Sequence, residues 1–70
     1  MIIWQRIVEG RSISIFYTEA AADNHYYIHL HPNIAYWAEI YESILATVRI
    51  LNDDNYSGID PVEFCKEVLG

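Results

Sequence analysis

The sequence predicts an α+β fold, a three-stranded antiparallel β-meander followed by a long amphipathic helix and a short C-terminal helix (β-β-β-α-α). Two observations predict it. The first 31 residues contain three segments that alternate apolar and polar side chains or are rich in β-branched residues. Two later segments repeat apolar residues every three or four positions. With 70 residues, 53% of them hydrophobic, the chain is expected to form one small domain over residues 1–70.

The first two strands are predicted at residues 2–9 and 12–18, separated by Gly10 and Arg11. Glycine at the first central position favours a type II′ turn. That turn sets Val8 opposite Ile13, Arg6 opposite Ile15 and Trp4 opposite Tyr17. The inner face, which helices would cover, then contains Ile2, Trp4, Val8, Ile13, Ile15 and Tyr17. Arg6 shares this face, and we expect its charged end to reach the sheet edge.

The third strand is predicted at residues 25–31 and ends at Pro32, which lacks a backbone donor. Tyr26, Ile28 and Leu30 lie on its inner face. The outer face of the sheet is predicted to hold Ile3, Ile7, Phe16 and Tyr27 beside Ser12, Ser14, Thr18, His29 and His31. Exposed apolar clusters of this kind mark interfaces, so we expect a protein partner to bind this face. The alternative is that the second helix, or a second subunit in a homodimer, covers it.

Two helices complete the fold. The first is predicted at residues 34–51 with Asn33 as its N-cap. Its apolar stripe consists of Ile34, Trp37, Ile40, Tyr41, Ile44, Leu45, Val48 and Leu51. The second begins at Asp60-Pro61, because aspartate suits the N-cap position and proline the first helical position. Phe64 and Val68 are predicted to form its inner face.

Residues 53–64 resemble a calcium-binding EF-hand loop. Asp53, Asn55, Ser57 and Gly58 match its first, third, fifth and sixth positions. Asp60 and Glu63 would supply the ninth and twelfth ligands, but one residue is missing after Gly58. The resemblance implies, as an alternative function, a metal-responsive regulatory subunit with a degenerate calcium loop at residues 53–63. The other interpretation is an interhelical connection in which Asp60 and Glu63 cap a helix.

Other chemical motifs are incomplete. His29 and His31 could share a zinc ion on one strand face, but no third ligand is visible. Cys65 is flanked by Glu63 and Glu67, and carboxylates raise the pKa of a thiol, so a structural cysteine is favoured over a nucleophile. With no catalytic motif and no phosphate-binding loop, the sequence predicts no enzyme, no cofactor and no metal ion.

Charge gives the strongest functional indication. Seven of the ten carboxylates lie between Glu39 and Glu67, and the net charge is −6. Such a field disfavours nucleic acid and membrane surfaces and attracts basic proteins. A lone cysteine favours a reducing compartment, so a cytoplasmic location is predicted. In size, acidity and lack of catalytic groups the chain resembles phage-encoded anti-CRISPR and anti-restriction proteins and bacterial immunity proteins.

These observations predict a small acidic inhibitor that binds a basic, nucleic-acid-handling protein. Its carboxylates would mimic phosphates and compete for lysines and arginines. Aromatic and histidine side chains on the rigid sheet would anchor the partner. The predicted partner-binding residues are Phe16, Tyr27, His29, Glu39, Glu42, Asp53 and Asp54.

Overall fold

The computed structural model describes residues 1–19, 24–30, 38–53, 55 and 58–70. Three strands are followed by two helices: β1 (Ile2–Val8), β2 (Arg11–Tyr17), β3 (Tyr26–Leu30), α1 (Ala38–Leu51) and α2 (Pro61–Leu69). The strands form one antiparallel sheet in the order β1-β2-β3. The predicted α+β meander with two C-terminal helices is therefore confirmed.

The turn between β1 and β2 differs from the predicted one. Its central residues are Glu9 (φ 52°) and Gly10 (φ 77°), so the turn is of type I′ and not type II′. Both angles are positive, which gives the turn a twist that matches the right-handed twist of the flanking strands. Moving the turn back by one residue changes every predicted pair. Val8 lies opposite Arg11, Arg6 opposite Ile13 and Trp4 opposite Ile15.

A β-bulge near the start of β1 changes which isoleucine faces the core. Ile2 pairs with Phe16 and Trp4 with Ile15, so Ile3 is an extra residue on β1. As a result Ile3 is buried next to Trp4, whereas Ile2 is 59% exposed. The prediction placed Ile2 on the inner face and Ile3 on the outer face, and both assignments are wrong. Strict alternation cannot anticipate a bulge, because the bulge reverses the alternation.

The core lies between the inner face of the sheet and the two helices. Ile13 and Ile15 of the central strand are fully excluded from solvent, as are Ile44 of α1 and Cys65 of α2. The buried apolar cluster consists of Ile3, Trp4, Ile13, Ile15, Ile44, Val48 and Cys65. Both described helices therefore cover the same face of the sheet.

Helix α1 follows the predicted stripe in part, and Thr47, which is not in that stripe, is also buried. Ile44 and Val48 are buried, and Ile40 and Leu51 pack against the core. Leu45 is only half-buried. Asn33, Ile34 and Trp37 lie outside the described residues, so the start of the predicted helix remains a prediction. Among the described residues, no helix is long and apolar enough to cross a membrane.

Helix α2 begins as predicted but presents a different face to the core. The Asp60 carboxylate accepts a hydrogen bond from the Val62 amide at 3.0 Å, and Pro61 occupies the first turn. Cys65 is the buried residue, whereas Phe64 is half-buried and Val68 is 54% exposed. The predicted inner pair Phe64 and Val68 is therefore wrong. The small thiol side chain lets this short helix approach the sheet more closely than phenylalanine would.

Arg6 and Trp4 fasten the end of α2 to β1. Arg6 Nη2 donates a hydrogen bond of 2.6 Å to the Leu69 carbonyl, and Trp4 Nε1 donates one of 3.4 Å to the Gly70 carbonyl. The guanidinium carbon also lies 5.5 Å from the centroid of the Trp4 ring, within cation–π range. A positive charge at a helix C-terminus is favourable. Arg6 therefore caps α2 and does not extend to the edge as predicted.

Replacing Glu9 with asparagine should stabilise the protein, because asparagine tolerates positive φ and Asn-Gly is the preferred type I′ pair. We expect a gain of about 0.5–1 kcal/mol in the free energy of unfolding from urea melts. The matched control is Glu9→Gln, which removes the same charge without gaining the conformational preference. Equal effects of the two substitutions would show that the charge of Glu9, and not its backbone geometry, lowers the free energy of unfolding.

Replacing Ile44 with alanine should cost about 2–5 kcal/mol of unfolding free energy, because a fully buried side chain is truncated within the core. Leu45→Ala is the matched comparison on the same helix. Since Leu45 is only half-buried, its truncation should cost less. Urea melts of both variants test this, and equal losses would contradict the packing of α1.

Candidate protein-docking site

The outer face of the sheet is organised in rows set by cross-strand pairing. One row contains Ile2, Phe16 and Tyr27, which we call the aromatic row. The next contains Gln5, Ser14 and His29, and a third contains Ile7 and Ser12. The predicted anchors Phe16, Tyr27 and His29 are thus brought together on one face. Ile2 completes their row, a position the sequence analysis had given to the inner face.

The aromatic row presents a rigid apolar surface with a polar end. The Phe16 and Tyr27 rings are stacked with centroids 5.7 Å apart and planes inclined by 25°. The His25 ring lies 6.4 Å from that of Tyr27. Tyr27 is 36% exposed and Phe16 is half-buried. Stacking fixes these rings before any partner arrives, which lowers the entropy lost on binding.

A cleft of about 540 Å³ opens beside the aromatic row. Its lining residues are Met1, Phe16, Tyr17, Thr18 and Glu19. Two of these residues, Met1 and Tyr17, are joined by backbone hydrogen bonds of 2.8 and 2.9 Å. Exposed Glu19 adds a carboxylate to a mostly apolar cavity. Glu19 is not among the predicted partner-binding residues, because nothing in the residues that follow the second strand indicates a cleft.

The predicted carboxylates lie elsewhere. Glu39 and Glu42 are exposed on α1, which packs on the inner face, so they lie on the opposite side of the sheet from the aromatic row. Asp53 is exposed and directly follows Asn52. The Asn52 side chain bonds the backbone of Tyr26, which places Asp53 beside β3. Asp54 lies outside the described residues.

In the loop after α1, the described carboxylates accept hydrogen bonds from nearby backbone amides. Asp53 accepts a hydrogen bond of 2.9 Å from the Asn55 amide, and Asp60 accepts the one that caps α2. Among the described residues, no group of three or more histidine, cysteine or acidic side chains could hold a metal ion. Ser57 of the EF-hand resemblance and His31 of the predicted histidine pair lie outside the described residues. Calcium binding at residues 53–63 therefore remains the untested alternative to the prediction of no metal ion.

The inner face carries a second group of titratable side chains. The Tyr17 and Tyr26 rings lie 4.8 Å apart. Burial raises the pKa of Tyr26 above its ordinary value, and the neighbouring Tyr17, Cys65 and Asp60 raise it further. Burial also raises the pKa of the fully buried Cys65 thiol. A thiol held neutral and away from solvent is a packing residue and not an activated nucleophile.

These raised pKa values predict that stability falls in alkaline solution. Because the folded state holds the protons of Cys65 and Tyr26 more tightly than the unfolded state, stability is complete below their ordinary pKa values of 9.0 and 10.0. It is lost as pH rises through the folded values. Urea melts from pH 7 upward should show this fall, and Cys65→Ala should move its onset to higher pH. An unchanged onset would contradict the assignment to Cys65.

The aromatic row, its cleft and Glu19 form a candidate docking surface with apolar side chains and one acidic flank. The chain matches no protein-family model, no curated protein sequence and no solved structure at a significant level. What this surface binds must follow from its own shape, exposure and charge.

Proposed function

We propose that the protein is a small acidic inhibitor that binds a basic, nucleic-acid-handling protein through the outer face of its sheet. The observation that carries this proposal is the aromatic row, in which stacked Phe16 and Tyr27 lie beside exposed Ile2. Tyrosine and other aromatic side chains on rigid elements are typical binding anchors. Both described helices lie on the other face, so among the described residues neither helix covers this row.

The charge of −6 supports a basic partner. Glu39 and Glu42 lie on the side of the sheet away from the aromatic row. A partner docked on that row does not contact them, so they act at long range and increase the rate of encounter. Glu19 lines the cleft beside that row and is the better candidate for direct phosphate mimicry.

The inhibitory role is supported by size and charge. A 70-residue acidic domain can occupy a basic groove and exclude nucleic acid by volume and by repulsion. Phage-encoded anti-CRISPR and anti-restriction proteins and bacterial immunity proteins share this size and acidity, so a role of that type in the cytoplasm is proposed here.

Substitutions in the aromatic row should mainly increase the dissociation rate. Phe16→Ala or Tyr27→Ala removes an anchor of about 2 kcal/mol or more, which corresponds to roughly thirtyfold faster dissociation. The control Tyr27→Phe keeps the ring and should have a smaller effect. The measurement is surface-bound kinetics with a partner captured from lysate, after thermal melts confirm that each variant folds. Unchanged dissociation in both alanine variants would contradict the proposed interface.

Charge reversal should instead slow association. The double variant Glu39→Lys/Glu42→Lys reduces the acidity of α1 and should lower the association rate and its salt dependence, while dissociation changes little. Glu63→Lys/Glu67→Lys on α2 makes the same charge change at another exposed pair. Similar effects of both pairs indicate steering by the whole field. A large increase in dissociation for the α1 pair alone would show that α1 contacts the partner.

A further inference from the structure

The cleft beside the aromatic row has walls that neighbouring strands hold in place. Two of its lining residues are aromatic, and each lies against a ring on β3. Phe16 is stacked on Tyr27, and the centroid of the Tyr17 ring lies 4.8 Å from that of Tyr26. The backbone hydrogen bonds between Met1 and Tyr17 join the start of β1 to the end of β2 at the same place. The cleft is therefore largely formed before a ligand arrives, which lowers the entropy lost on binding.

Glu19 supplies the cleft with a carboxylate that has no partner. It is the acidic member of the lining residues, and its side chain is exposed. Within the described part of the chain, no hydrogen bond or ion pair engages it, whereas the Asp53 and Asp60 carboxylates accept hydrogen bonds from backbone amides. A cation that enters the cleft displaces water from its mostly apolar walls. That displacement strengthens the attraction between the cation and the carboxylate.

The other charge at the cleft is the amino group of Met1. It donates a hydrogen bond of 2.9 Å to the Tyr17 carbonyl, so a backbone oxygen already accepts from it. Glu19 has no corresponding donor among the described residues. The aromatic residues Phe16 and Tyr17 add ring faces, which carry negative electrostatic potential. The charge of the lining residues themselves therefore favours a cation at the Glu19 end of the cleft.

We propose that the cleft binds an arginine side chain of the basic partner, with its guanidinium paired to Glu19 and lying against Phe16. This inference rests on the proposed function and names the group that the site recognises. A guanidinium is planar, stacks on aromatic rings and donates two parallel hydrogen bonds to one carboxylate. A lysine ammonium carries the same charge but has no planar face to stack. The volume of about 540 Å³ admits such a side chain.

The test titrates the isotope-labelled protein with a capped Ala-Arg-Ala peptide and follows the backbone amide signals by NMR. The peptide should shift the amides of residues 16–19. A peptide with citrulline in place of arginine has nearly the same shape without the charge. It should bind about tenfold more weakly, because it cannot form a charge-assisted pair. A lysine peptide should bind roughly threefold more weakly, since it pairs with the carboxylate but does not stack.

Three variants, each checked for folding by thermal melts, assign the contact to residues. Glu19→Gln should weaken binding of the arginine peptide about tenfold and leave binding of the citrulline peptide unchanged. Glu9→Gln makes the same charge change in the turn at the opposite end of the paired strands and should have little effect. Phe16→Leu keeps an apolar wall without the ring, so it should abolish the preference for arginine over lysine.

Other results overturn the assignment. Equal binding of the citrulline peptide would show apolar contact without recognition of charge. A glutamate peptide that shifts the same amides would assign the cleft to the Met1 amino group. Arginine-dependent shifts confined to α1 or α2 would assign the cation to the acidic helices, and no shift at about 10 mM peptide would mean that the cleft holds no arginine. The proposed function is decided separately by the dissociation rate of Tyr27→Ala, because Tyr27 is not one of the lining residues.

Discussion

The structure depends on the burial of one face of the central strand. Ile13 and Ile15 are fully excluded from solvent because β1 and β3 flank them and both described helices cover them. Ile44 meets them from α1 and Cys65 from α2. A sheet of three strands has two faces, and both described helices pack against the same one. That neither described helix covers the aromatic row is thus a consequence of how the core forms.

Helix α2 is short, and contacts at both of its ends hold it against the core. A helix of nine residues is marginal on its own. It is fixed at the start by the Asp60 cap and at the end by Arg6 and Trp4 on β1. Arg6 occupies an inward position, where an unpaired charge would be unfavourable. Its hydrogen bond to the Leu69 carbonyl at the end of α2 offsets that cost.

The sequence predicts the type and order of the elements, because periodicity is a local property. Alternation in β2 and β3, the stripe through Ile44 and Val48, and the Asp60-Pro61 start are all visible in neighbouring residues. Register is not local in the same way. A turn moved by one residue re-pairs Arg6 with Ile13, and the bulge exchanges the roles of Ile2 and Ile3. The face of α2 also depends on how closely a helix can approach the sheet, which selects Cys65 over Phe64.

The predicted partner-binding residues also differ in whether local sequence or tertiary packing decides their position. Strand alternation is enough to gather Phe16, Tyr27 and His29 on one face, and the structure places them there. Whether Glu39 and Glu42 join them depends on which side of the sheet α1 packs.

The separation of charge from anchors has a functional consequence for the proposed inhibitor. When the outer face docks, the helical layer with Glu39, Glu42, Glu63 and Glu67 faces away from the partner. Salt screens its field with a decay length of about 8 Å at physiological ionic strength, so it contributes little to the bound contact on the opposite face. It does cover the docked site with an acidic surface. Nucleic acid approaching the same groove would meet that surface first and be repelled. Inhibition would then not require carboxylates to occupy the positions of phosphates; anchoring on one face and repulsion from the other would be sufficient.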